Sequence, residues 1–198
     1  MPTAIPPALP PRHELRAQRI LLRHWRDEDL AAFAALNADP RVMAHFPATQ
    51  SRADSDASAA RVRQRLDARG WGLWALQTPE LAFAGFVGLS PVPFELPDLP
   101  WPTADAAPPL HEIGWRLARA AWGRGDATAA ARRVLAFARY TIALPGVVSF
   151  TALSNRRSQA VMQRIGLNRV GDFDHPLLPS DSPLRRHVLY ASAWAGPG

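Results

Sequence analysis

Apolar and polar positions change period several times along this chain, and each change marks an element. RILLRHW, residues 19–25, predicts a strand, and Asp27 then opens an Ala-rich helix through Leu36 with acids in its first turn. Asp39 and Pro40 stand as N-cap and first residue of a short further helix. Ser51 with Asp54 forms a capping box for a helix running to Arg69, which Gly70 closes. WGLWALQT and LAFAGFVGLS, parted by Pro79 and Glu80, predict a β-hairpin. HEIGWRL alternates cleanly: Ile113, Trp115 and Leu117 share one face, while Glu112, Gly114 and Arg116 share the other.

Beyond the loop ARAAWGRGDA, Ala127, Ala131, Val134, Leu135, Ala138 and Ile142 recur at helical spacing until Pro145 and Gly146. VVSFTAL predicts a buried strand, a second helix runs from about Asn155 to Gly166, and LNRVGDF and HVLYASAW are the last strands. The order is strand, helices, hairpin, strand, helix, strand, helix, two strands. That is an α/β or α+β domain around one mixed sheet.

At 198 residues the chain suits a single core. Prolines set its limits. Five of them make residues 1–14 a disordered or extended head, so the domain is expected to span residues 15–194. Seven more, from Pro91 to Pro109, mark an insertion at 91–110. Its Phe94, Leu96, Leu99 and Trp101 are apolar enough to pack, as a flap beside a site or as a surface excursion. There is no Cys, which excludes a disulfide scaffold, a thiolate nucleophile and Cys-ligated zinc. No run of 18 apolar residues spans a bilayer and the head is not a signal peptide, so no membrane partner and a cytoplasmic address are expected.

The net charge is +6, yet all 23 basic residues are Arg and they are spread along the chain. Nucleic acid is therefore not expected as the main ligand. A basic RNA- or ribosome-associated interaction module stands as the alternative from a different class. The six His have no HxxxH spacing, so no metal is expected, and no GxSxG elbow supports Ser-His-Asp hydrolysis.

The most informative segment is the strand, glycine loop and helix around WGRGDA. Gly123 and Gly125 permit positive φ, and the helix behind them offers unpaired N–H groups and about half a positive charge. Arg124 and the Thr128 hydroxyl add donors. This describes an anion cradle, without the Gly-Lys-Ser/Thr ending of a P-loop, or else a plain turn before a helix.

WGRGDA after HEI, followed by NRRSQAVMQRIGL, resembles the GNAT family of N-acetyltransferases, and is similar to the branch holding the ribosomal-protein N-terminal acetyltransferases. The resemblance runs from about Leu15 to Tyr190. It implies a sheet splayed at its middle, with acetyl-coenzyme A as co-substrate in the splay, and an amine acceptor that is a small molecule or a protein N-terminus. A homodimer is compatible with it. Carried onto this sequence, the resemblance implies that the Leu117 backbone binds the pantetheine arm, that the amides of Gly123, Arg124, Gly125, Ala127 and Thr128 hold the pyrophosphate, that Asn155 bonds the arm, and that Arg157 faces the adenosine phosphate or solvent.

Several positions depart from the family pattern. Trp122 replaces Arg or Gln before the first glycine, and Ala129 replaces a common Glu. Asp126 stands where the branch often has Tyr, an acid beside the expected pyrophosphate unless it turns to solvent. Met162 replaces the Tyr that reprotonates the coenzyme thiolate in many relatives; Met cannot donate a proton, so Ser158 or a water takes that role. Such departures also leave room for a coenzyme-binding member without turnover. The expected base is Glu112, because a Lys-like amine is neutral in only about one part in two thousand at pH 7. A strand-end salt bridge to Arg116 is its alternative role. His111 falls on the opposite face as a structural residue, and His175 either lines the acceptor pocket or stands exposed on its loop.

Overall fold

A computed structural model of the protein describes residues 11–97, 99 and 110–194. In chain order its elements are β1 (Leu15–Ala17), β2 (Ile20–Arg23), α1 (Asp29–Ala38), α2 (Arg52–Arg69), β3 (Leu73–Gln77), β4 (Gly85–Pro91) and β5 (His111–Leu117). There follow a short 3₁₀ turn (Arg119–Ala121), α3 (Asp126–Tyr140), β6 (Gly146–Ala152), α4 (Arg156–Arg164), β7 (Asn168–Asp174) and β8 (Arg186–Ala193). The strands form one open mixed sheet in the order β1-β2-β3-β4-β5-β6-β8-β7, flanked by the four helices.

The sheet is split where its one parallel pair among the described residues lies. β4 and β5 are paired antiparallel over seven positions, from Gly85 opposite Leu117 to Pro91 opposite His111. β5 and β6, joined through the crossover helix α3, are paired only at Glu112 opposite Val148. One residue further on, the Ser149 hydroxyl donates to the Ile113 carbonyl at 2.8 Å, and past that bridge the strands diverge.

The main apolar core runs through both sides of the split, from β1–β5 across to Val147, Val188 and Tyr190 on β6 and β8. α3 lays Ala130, Ala131, Val134, Phe137 and Ala138 on the sheet, and its small residues let the helix approach closely. Burying Val134 and Phe137 stabilises the fold by roughly 2 kcal/mol each. A smaller cluster of Val148, Phe173, Leu189 and Ala191 lies beyond the split, covered by Val92, Phe94, Leu96 and Leu99. The described part of the Pro-rich insertion thus packs on β6, β7 and β8. Trp101 and residues 1–10 lie outside the described residues.

The sequence reading differs at three places. It takes 19–25 as the first strand, whereas β1 and β2 form a hairpin pivoting on Gln18 at φ 44, a turn without a Gly or Asn signal. α1 begins at Asp29, not Asp27, because the Asp29 carboxylate accepts the Arg26 N–H and a bidentate bond from the buried Arg23, both at 2.8 Å. Asp39 and Pro40 open no helix: the Asp39 carboxylate takes the Arg41 N–H at 2.8 Å, and residues 39–51 remain a loop of turns. Ser51 does cap α2, its Oγ accepting from Asp54 N at 3.1 Å, but the Asp54 carboxylate bonds the Ser51 hydroxyl at 2.6 Å in place of the N–H of a full capping box; Gly70 closes the helix in the left-handed conformation at φ 76.

Candidate functional site

Residues in register on neighbouring strands present their side chains to the same face of a sheet. Glu112 is paired with Val148, Phe150 with Leu189, and His187 with both Ala152 and Phe173. Glu112, Phe150, Phe173 and His187 therefore share one face across the split, opposite the face that carries α3. A cavity of about 1400 Å³ opens there. Its lining runs from the start of α3 (Gly125, Asp126, Ala127 and Thr128), past Leu117 and Asn155, to Glu112, Phe150, His175 and His187.

At the α3 end the cavity meets backbone. α2 and α4 both have side-chain caps, Ser51 and Asn155. α3 has none: its N-cap is Gly125, at φ 81, and no side chain accepts from its first turn. A Cβ at Gly125 would meet nothing within 4 Å, so the space beside it is open. Unsatisfied amides, a dipole end and free space fit the diphosphate of a coenzyme. Ala127 and Thr128 line the cavity, while Gly123 and Arg124 are exposed and are not part of its lining. The Arg124 side chain lies 3.5 Å from Glu80, which also pairs with Arg19.

Asp126 does not turn to solvent. Its side chain is 2% exposed, Oδ1 lies 3.7 Å from Arg19 Nε, and Oδ2 is buried without a hydrogen bond. Burial is the main reason its pKa is raised; the Glu80 charge adds to the rise, and Arg19 and Arg124 oppose it.

Trp122, the departure ahead of the first glycine, has a structural use. Its Nε1–H donates to the Leu117 carbonyl at 2.8 Å and its ring carries the Arg157 guanidinium at 4.7 Å. Leu117 and Arg157 are thereby tied together along the cavity wall. Asn155 accepts from Ser158 N and donates to Thr151 Oγ1 at 2.9 Å and Ser158 Oγ at 3.1 Å. Because the Ser158 oxygen accepts, its own proton remains to be given. Met162 is buried on the wall beside it.

Glu112 sits on the cavity floor, its Oε1 3.7 Å from the place a Cβ on Gly114 would occupy. Among the described residues it makes no ion pair. Burial without compensation pushes its pKa up to about 8. The alternative bridge to Arg116 does not form: that guanidinium donates to Asn37 Oδ1 at 2.6 Å and lies 3.9 Å over the Phe46 ring. Burial also lowers the Arg116 pKa to about 10. His111 is buried on the other face, its ring 5.2 Å from Trp71.

Sequence reasoning missed the opposite wall and the roof. Phe150 and His187 line the cavity, and alternation along VVSFTAL would have placed Phe150 on the Glu112 face once the parallel register was known. His45 reaches across from the 39–51 loop to Ser154, Nδ1 to Oγ 3.3 Å, and nothing local in the sequence signals that contact. No three His, Asp or Glu among the described residues are grouped to hold a metal, and no described helix is long and apolar enough to cross a membrane.

Residues 19–168 match the sequence profile described as acetyltransferase (GNAT) domain. A GNAT-family acetyltransferase from Bacillus anthracis superposes with a TM-score of 0.72 at 18% identity, covering 91% of this chain and 98% of that one. An acetyltransferase from Agrobacterium tumefaciens str. C58 gives 0.68 at 25% identity, with 92% and 95% covered. The ribosomal L7/L12 alpha-N-protein acetyltransferase RimL, solved with coenzyme A, gives 0.69 at 15% identity, with 91% and 98% covered.

Proposed function

The chain belongs to the GNAT acetyltransferase family and is an acetyl-coenzyme A-dependent acyltransferase, and from that premise we propose that it acetylates a primary amine, a small molecule or a protein N-terminus, by direct attack in a ternary complex. One observation carries this reading. A cavity at the split of the sheet has uncapped helix amides at one end and, at the other, a carboxyl without an ion pair among the described residues.

The coenzyme supplies an activated acetyl thioester when bound. The first-turn amides of α3 hold its diphosphate, Leu117 and Asn155 its arm, and the Arg157 guanidinium on Trp122 stands at the adenosine side. Glu112 takes a proton from the acceptor ammonium. Its raised pKa suits the task, because proton transfer from an ammonium of pKa about 10.4 to an ordinary carboxylate is uphill by about 8 kcal/mol, whereas a carboxyl at about 8 lowers that to about 3 kcal/mol. An α-amino group, with a pKa of about 7.7 to 8.0, would be matched almost evenly. Ser158 gives its uncommitted proton to the departing thiolate and is reprotonated by the proton that the nitrogen loses as the amide forms, so one proton passes from nitrogen to sulfur. A thiol-release assay over amines and peptides tests the reading, preceded by a melting curve. Acetyl-coenzyme A at about a hundred times its dissociation constant should add on the order of 2.7 kcal/mol of stability. An unchanged melting temperature at millimolar ligand would end it.

A further inference from the structure

We propose that the acceptor end of the cavity is an aromatic subsite that selects a primary amine carrying an aromatic ring, whether a free arylalkylamine or a peptide with an aromatic first residue. The amine half of this statement rests on the transferase reading; the ring half rests on the wall described next.

Phe150, His175 and His187 line the cavity on the Glu112 side of the sheet. Their rings form a continuous surface, with centroids 4.8 Å apart for His175 and His187 and 5.7 Å apart for Phe150 and His175. Phe173 meets Phe150 edge-on at 5.8 Å. Phe94, from the Pro-rich insertion, meets His175 at 4.8 Å and Phe150 at 5.6 Å. Neither Phe173 nor Phe94 lines the cavity, so both act as supports that fix the wall. Rings tilted against one another, at 59° and 51° for the two lining pairs, present both faces and edges to a further ring, and an aromatic pair is worth about 0.5–1.5 kcal/mol beyond burial.

The wall is also uncharged. His175 Nδ1 accepts the Leu177 N–H at 3.3 Å, so it carries no proton, and His187 Nδ1 must carry one to donate to the Arg185 carbonyl at 3.2 Å. Burial lowers the pKa of both, and each stays neutral at pH 7. Across the cavity Phe46 offers a further ring, with Arg116 already stacked on it.

Charge narrows the choice further. The lining holds six arginines against two carboxylates, Glu112 and Asp126, and Asp126 is at the α3 end beside Arg19. One ammonium finds a partner in Glu112. A second finds no further carboxylate at that end of the lining, which disfavours polyamines and polyamino sugars.

The experiment compares phenethylamine with 2-cyclohexylethylamine, matched in size but not aromatic, and with spermidine. Thiol release gives turnover, and calorimetry on the coenzyme A-loaded protein gives binding without turnover. Phenethylamine should show a KM and a Kd at least tenfold below both others. A Phe-led against a Ser-led tetrapeptide should give the same ratio if the source is a peptide, and no difference if it is a free amine. Phe150→Ala should lower the kcat/KM ratio of phenethylamine to n-butylamine at least tenfold. Should that variant fail to fold, His187→Ala should lose the preference and His187→Phe should restore it. Equal or tighter binding of 2-cyclohexylethylamine or spermidine overturns the aromatic subsite and leaves the transferase reading intact. Failure of coenzyme A itself to bind overturns the transferase reading instead.

Discussion

The two ends of the cavity are built in different ways. The α3 end is made from consecutive residues, Gly125 to Thr128, and works through backbone amides and an uncapped helix start. The Glu112 end is made from side chains on β5, β6, the loop after β7, β8 and the 39–51 loop, which only the register of the sheet brings together. Backbone recognition of a diphosphate needs a particular conformation and little else, so it survives drift in the side chains around it. Side-chain recognition of an acceptor needs particular chemistry at scattered points. One fold can therefore keep its co-substrate while its acceptor changes.

The sharpest way to break this contrast is Gly125→Val. No atom of the described residues lies within 4 Å of a Cβ there, but φ 81 is strained for a β-branched residue, and the added methyls fill the open space beside the α3 amides. Coenzyme A binding by calorimetry should weaken at least a hundredfold while far-UV circular dichroism stays native. Retained affinity would place the diphosphate elsewhere and remove the backbone character of this end.

Glu112→Gln tests the other end, with a smaller effect. Turnover should fall at least tenfold while coenzyme A affinity stays within about twofold. The wild-type kcat/KM should rise with pH through about 8, where the base loses its proton, and the variant should lack that step. Stability adds a second readout with its own sign. A carboxyl whose pKa is raised on folding supports the fold while protonated, and that support is lost as pH rises from the unfolded value of 4.5 through about 8. Glu112→Gln should therefore melt higher than wild type at pH 8.5 and alike at pH 4. A salt-bridge role predicts a lower melting temperature instead.

The contrast also explains what the sequence could disclose. Gly123, Gly125 and the helix behind them are contiguous, and a local conformational argument finds them without any knowledge of the sheet. Alternation put Glu112 on the face opposite Ile113 and Trp115, and the parallel register at Val148 confirms which neighbours that face has. Phe150, His187 and Phe46 were invisible as a group, because their proximity depends on β8 pairing between β6 and β7 and on a loop folding back over β5. The β1–β2 hairpin escaped for a smaller reason: Gln18 takes a positive φ that the chain does not announce with Gly, Asn or Asp.

The smallest expected effect asks whether the α3 end is as indifferent to side chains as its backbone character implies. Asp126 is the carboxylate of the cavity lining at that end, 2% exposed, with Oδ2 unpartnered and Oδ1 only 3.7 Å from Arg19. A diphosphate at the same helix start faces that charge at short range and through little water, so the two anions repel. Asp126→Asn keeps the shape and removes the charge, and coenzyme A should bind about twofold to fivefold more tightly at pH 8 and low salt. Added salt should shrink the gain without abolishing it, since the carboxylate is buried and only the Arg19 side of the pair is open to solvent. The pH dependence follows from the raised pKa: the wild-type carboxyl takes up a proton more readily than usual, and a bound anion favours that proton further. Wild-type affinity should climb as pH falls and approach that of the variant, whose own affinity stays flat over the same range. Calorimetry in buffers of different ionisation enthalpy would register the proton taken up by wild type and none by Asp126→Asn. Equal affinity of the two proteins at pH 8 and low salt would mean that Arg19 already neutralises the carboxylate, and that recognition at this end is carried by the backbone alone.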